Sequence, residues 1–135
     1  MGRQNFSSGT AWEPLVGYSR AVRVGAHVYV SGTTATGADG EIVGRGDVEA
    51  QTRHTLENIA AVLEQAGAKL ADVVRTRIYV ADINAWRVIG QVHHEFFATI
   101  RPATSMIEVS RFVGPDILVE IEADAYIGDA SEAGA

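Results

Sequence analysis

The sequence predicts an α+β fold in which one mixed β-sheet carries two helices on one face, in the order β-β-β-α-β-α-β-β. Three observations carry this reading. Runs rich in β-branched residues recur at 19–24, 27–32, 73–80 and 117–127. Between them the apolar period switches twice from strand-like to helix-like. The order lacks the strict βαβα alternation of an all-parallel sheet, so helices gathered on one face are expected.

Each element has a local cause. Residues 3–7 give a short first strand. SRAVRV and HVYVSG are separated by Gly25-Ala26, and a glycine opening a two-residue connection predicts a type II′ hairpin. Asp39-Gly40 marks a second tight turn. Asp47 is the expected N-cap of the first helix, with Glu49 suited to its positive end. Thr52, Leu56, Ile59, Ala60 and Leu63 then draw one stripe, and Gly67 supplies a left-handed cap. VVRTRIYV at 73–80 is the next strand. A second helix is expected from Asn84, as N-cap, to Ala98, burying Val88, Ile89, Val92, Phe96 and Phe97 until Arg101-Pro102 ends it. Strands at 105–111 and 117–127 close the fold. The domain is read as 1–127, with 128–135 (GDASEAGA) as a flexible tail.

Composition narrows the function. The chain has 135 residues, enough for one domain, and 47% of them are hydrophobic against 21% charged, as in a folded globular protein. Its net charge of −6 disfavours general binding to a phosphate backbone. The absence of cysteine excludes disulfides, thiol nucleophiles and thiolate metal sites. The first residues lack the apolar stretch of a signal peptide, and no apolar run approaches a membrane span, so a soluble cytoplasmic protein is expected.

Strand alternation assigns the faces. Val119, Ile121, Ala123, Ala125 and Ile127 point toward the helices, as do Val74, Thr76, Ile78, Val80, Val28 and Val30. The opposite face pools Glu120, Glu122, Asp124, Arg75, Arg77, His27, Ser31 and the tyrosines 29, 79 and 126. One reading is a solvated face with cross-strand ion pairs. The other is a face that packs against another subunit, since tyrosine and arginine are favoured at interfaces.

No motif names a reaction. His93 and His94 are adjacent on a helix, about 100° apart, so they cannot chelate one ion together; surface histidines are expected, and no metal site. Ser31 and Ser105 lie in no nucleophile elbow, and GTTATG at 32–37 opens no helix and so is no phosphate cradle. Glu120, Glu122 and Asp124 share a strand face and could raise one another's pKa if shielded from water, which would suit a general base.

At SRAVRVGAHVYVSGTTA, IYVADINAW, RPATSMIEVS and ILVEIEADA the chain resembles the RidA/YjgF family, also called endoribonuclease L-PSP, whose fold is chorismate-mutase-like. The resemblance runs from about residue 3 to residue 127. It implies a homotrimer with clefts at the subunit boundaries, and hydrolysis of reactive imines or enamines to carbonyl compounds and ammonia without metal or organic cofactor. Carried over by position, Glu120 holds the attacking water, and Tyr18, Ser31 and Gly32 line the cleft. The family's substrate-gripping arginine is replaced here by Thr104, and Met106 makes that wall more apolar. Arg20 and Arg101 are the nearest arginines able to supply the missing charge; Arg20 joins the expected substrate-binding set. The reading is therefore a RidA-like hydrolase on a small reactive imine, enamine or related amine. The alternatives are a non-catalytic small-molecule-binding or stress-protective member of the family, or an endoribonuclease or translation inhibitor, which the net charge disfavours.

Overall fold

The structure, a computed structural model, describes residues 2–128. Its strands are β1 (Arg3–Phe6), β2 (Ala21–Val24), β3 (His27–Thr33), β4 (Val73–Val80), β5 (Ala103–Glu108) and β6 (Val119–Tyr126); its helices are α1 (Trp12–Val16), α2 (Val48–Gln65) and α3 (Trp86–Phe97). The six strands form one mixed sheet in the order β1-β2-β3-β6-β4-β5, antiparallel except for the β4–β5 pair. A parallel pair requires a crossover, and α3 provides it.

The predicted signals at α2 are all used. The Asp47 side chain accepts from the Ala50 amide at 3.0 Å, and Gly67 takes φ +84. Gly25 takes φ +61 while Ala26 does not enter the left-handed region, as a II′ hairpin requires. Leu56, Ile59 and Leu63 of α2 and Ile89, Val92 and Phe97 of α3 meet Val28, Val30, Ile78, Val80, Val119, Ile121 and Ala123 of the sheet, all buried. This single core sits under one face of the sheet.

Several local expectations are corrected. A short helix, α1, precedes the hairpin. Asn84 caps nothing: it lies in a 3₁₀ turn, Ile83–Ala85, whose cap is Asp82, accepting from the Asn84 amide at 2.9 Å. Val88 is 40% exposed rather than buried. Val74 is also exposed, because a register shift between Val73 and Arg75 inserts an extra residue and turns Val73 inward in its place. The strand expected at 105–111 runs from Ala103 to Glu108, since it begins right after Pro102. Of the expected tail, residues 129–135 lie outside the described residues. Among the described residues no helix is long and apolar enough to cross a membrane.

Candidate functional site

The edge of the site begins at α1. Its C-terminal Gly17 takes φ +92, and the Gly17 and Tyr18 amides both donate to the Glu13 carbonyl at 2.9 Å. Glu13 itself points inward and is 4% exposed. Its Oε2 accepts from the Ser8 amide (3.2 Å), the Ser8 hydroxyl (2.7 Å) and the Thr10 hydroxyl (3.0 Å). Burial pushes this carboxyl up, but the donors of Ser8, Ser7 and Thr10 outweigh it and hold the pKa down at about 2. Glu13 thus ties the 8–10 loop to the turn that presents Tyr18.

From that turn the chain enters β2. The Arg20 guanidinium lies 5.6 Å from the Tyr18 ring centroid, a cation–π distance, and its Nη2 donates to the Gly32 carbonyl. Arg20 Nε is buried without a hydrogen-bond partner. Alongside, the Ser31 amide donates to the Arg20 carbonyl at 3.0 Å and the Ser31 hydroxyl to the Ser19 carbonyl at 2.7 Å.

Ser31 and Gly32 occupy a β-bulge. Val30 pairs with Ala123 and Thr33 with Ile121, so two residues of β3 stand opposite Glu122 alone. The bulge brings Gly32 beneath the Glu120 side chain: a Cβ at position 32 would overlap Glu120 Oε2 and lie 3.0 Å from its Cδ. Glu120 is half-buried. Desolvation raises its pKa, the Arg20 charge pulls it back, and Glu122 pushes it up again. Tyr18, Arg20, Ser31, Gly32 and Glu120 therefore form one cluster in which a carboxyl group of weakened acidity faces a guanidinium. Such a pair can hold a water molecule and exchange a proton with it.

Beside this cluster the polar sheet face carries the predicted cross-strand pairs. Arg77 Nη1 lies 3.3 Å from Asp124 Oδ2 and 3.5 Å from Glu122 Oε1, and the Tyr79 hydroxyl donates to Glu122 at 3.2 Å. Burial and the charge of Glu122 raise the Tyr79 pKa. The His27 ring stacks on Tyr29, with Tyr126 tilted against it at 5.1 Å.

Thr104 and Met106 are not part of the cluster. Thr104 pairs in register with Thr76 and Met106 with Ile78, while Glu120 pairs with Tyr79. Thr76 and Tyr79 are three residues apart and point to opposite faces, so Thr104 and Met106 lie on the helix side of the sheet. Met106 packs against the core there. The Thr104 hydroxyl joins Thr76 (2.8 Å) and donates to the Pro102 carbonyl (3.2 Å). It borders a groove of about 480 Å³ lined with His93, Phe97, Ala98, Arg101 and Pro102.

His93 is not the surface residue expected. Its Nε2 lies 2.9 Å from the Thr76 hydroxyl, its ring packs on Phe97 at 4.6 Å, and burial lowers its pKa. The signal that could have found it is the spacing Ile89–His93–Phe97, four residues each, which puts His93 on the apolar stripe. Arg101 is the one non-glycine among the described residues with positive φ, +52. Its amide closes the end of α3 on the Phe97 carbonyl at 2.9 Å, and the proline that follows disfavours right-handed helix at this position.

A mixed six-stranded sheet with helices on one face is the α+β fold of YjgF-type proteins. Comparison with known proteins agrees. The family model described as Endoribonuclease L-PSP matches residues 8–127, and the chain belongs to this family. A member of the YjgF/YER057c/UK114 family from Mycobacterium tuberculosis is 55% identical in sequence; its crystal structure superposes with a TM-score of 0.85, covering 93% of this chain and 100% of that one. A RutC family protein of Pyrococcus abyssi is 42% identical over 115 residues, 84% of this chain and 89% of the relative. The 3-aminoacrylate deaminase RutC of Acinetobacter baylyi is 39% identical over 114 residues, 84% of this chain and 90% of that protein.

Proposed function

We propose that this protein is a cofactor-independent, deaminase-type hydrolase that releases ammonia from a small reactive imine or enamine. The observation that carries the reading is the half-buried Glu120 carboxyl lying against the bare Cα of Gly32 and within the field of Arg20. The named activity of the Acinetobacter baylyi relative supports the same chemistry.

The reaction needs few groups. An enamine tautomerises to its imine, whose carbon is electrophilic. A water held by Glu120 adds its oxygen to that carbon and gives up a proton through the carboxylate, while the nitrogen gains protons. The C–N bond of the resulting carbinolamine then breaks, leaving a carbonyl compound and ammonia. Holding water and imine in contact accounts for much of the rate, because orientation replaces an encounter in solution.

Thr104 and Glu120 lie on opposite faces of one sheet, so a cleft containing both takes Thr104 from a second copy. In this reading the protein is a cytoplasmic homotrimer with clefts at its subunit boundaries. Nucleic acid is not the substrate in this reading, given the net charge of −6.

The test is a coupled assay in which an amino-acid oxidase generates 2-iminoacids beside the protein, with ammonia as the readout. A second arm supplies an uncharged enamine. Acceleration in either arm, abolished in Glu120→Gln, is the expected result. Acceleration of 2-iminoacid loss only in Thr104→Arg would assign the natural substrate to compounds without a carboxylate. One observation favours a second reading, binding without turnover: the Thr104 hydroxyl is already committed to Pro102. Thermal stabilisation by a ligand with no ammonia released in any arm would select it.

A further inference from the structure

The groove between α3 and the start of β5 holds a polar group that the Glu120 cluster does not use. One direction of donation satisfies all three hydrogen bonds around that group together. Thr104 has one hydroxyl proton and gives it to the Pro102 carbonyl. At the 2.8 Å contact Thr104 must therefore accept from Thr76. The single Thr76 proton is then spent, so at 2.9 Å the Thr76 oxygen accepts from His93 Nε2–H. Neutral imidazole protonated at Nε2 leaves a lone pair on Nδ1. Burial of the ring favours that neutral form. Among the described residues no donor meets Nδ1.

The surroundings select what could meet it. The groove is open, holds about 480 Å³, and has Gly90, Phe97, Ala98 and Pro102 as apolar walls. Among the described residues no Asp or Glu lines it, and Arg101 stands in the lining. A cationic amine would find like charge and no carboxylate there. A carboxylate at Nδ1 would set its oxygens against the lone pair, and its place in the groove is beside Arg101. An uncharged N–H group at Nδ1 meets neither penalty.

We propose that His93 Nδ1 is the acceptor of a binding site in this groove for a small ligand that bears an uncharged N–H donor. That the donor is an enamine amino group rests on the hydrolase reading above. An enamine N–H bonded to Nδ1 pushes electron density toward its β-carbon, which favours the tautomerisation that precedes attack by water. Thr76 and Thr104 serve as positioning residues, since their chain of donors keeps the proton on Nε2.

The test uses long-range ¹H–¹⁵N spectra of the histidine rings in the intact protein, titrated with methyl 3-aminocrotonate, a stable uncharged enamine. Its N,N-dimethyl analogue, which has the same skeleton and no N–H, is the control. We expect His93 to show a protonated Nε2 and a bare Nδ1. Methyl 3-aminocrotonate should move the Nδ1 resonance, and the dimethyl analogue should bind about tenfold more weakly or worse. His93→Gln keeps an N–H donor where Nε2 stood and removes Nδ1, so it should retain the melting temperature and lose affinity by a similar factor. A proton on Nδ1, equal binding of the two probes, wild-type affinity in His93→Gln, or a response centred on Gly32 would each overturn the proposal. Should His93→Gln fail to fold, the two probes on the wild-type protein decide alone. Repeating the titration on Glu120→Gln separates the two readings, because the His93 response persists there whether or not Glu120 supports hydrolysis.

Discussion

Glu120 rests on Gly32. The carboxyl of the central strand β6 occupies the space that any side chain at position 32 would need, and the β3 bulge puts the glycine there. Gly32 does not have positive φ, so alanine can take its backbone conformation and only the Glu120 side chain has to move. Gly32→Ala should change stability by less than about 1 kcal/mol. Under the hydrolase reading it should lower turnover by on the order of tenfold to a hundredfold, the usual effect of displacing a reacting group by about an ångström. Thermal denaturation and ammonia release, measured on the same preparation, check both halves.

Glu120 also gives a signed pH prediction. Its folded pKa is raised, chiefly by desolvation. A raised carboxyl contributes stability that is fully present below the ordinary value of 4.5 and is lost as pH rises through the folded value. At neutral pH the ionised carboxylate therefore weakens the fold. Glu120→Gln should melt a few degrees higher than wild type at pH 7, and the gap should close as the pH falls below 4.5.

Glu13 behaves oppositely. Held at about 2 by its donors, it contributes stability above 4.5 that is lost as pH falls through 2. Glu13→Ala should cost on the order of 2 kcal/mol at pH 7, since it removes a buried, charged acceptor shared by three donors of the 8–10 loop. Urea denaturation at pH 7 and pH 2.5 should show the penalty shrinking in acid.

Arg101 stands at a left-handed position where glycine is the usual choice. Arg101→Gly should stabilise the protein by about 1 kcal/mol, the steric cost of this conformation for a residue with a Cβ, less the backbone entropy glycine loses on folding. A shift in the denaturation midpoint with an unchanged m-value is the expected signature.

The sheet, its two long helices and their inward faces were legible because each has a period and a punctuation residue, Asp47 and Gly67 for α2 and Pro102 after α3. What escaped was set by contacts distant in sequence. Val74 alternates correctly on paper, and only the pairing of β4 with β6 shifts it outward. α1 is five residues long with a proline inside it, too short to show a period. Of the candidate site, Glu120 was legible from strand alternation as one of three carboxylates on a shared face, while Gly32 came from family resemblance alone; nothing in the residues between them signals that a bulge brings them together. His93 was readable from its four-residue spacing to Ile89 and Phe97, but its adjacency to His94 drew attention to metal geometry instead.

The strand order carries a consequence for biosynthesis. β6, the last of the described strands to leave the ribosome, lies between β3 and β4 and is, among the described residues, the only strand hydrogen-bonded to both. Until residue 126 has emerged, the nascent chain consists of a β1–β3 meander and a β4–α3–β5 unit, each with an unpaired edge facing the gap. Those edges are open to other chains throughout translation. A stop codon before Val119 would therefore yield two unjoined half-sheets and an aggregation-prone product, rather than a shortened version of the protein.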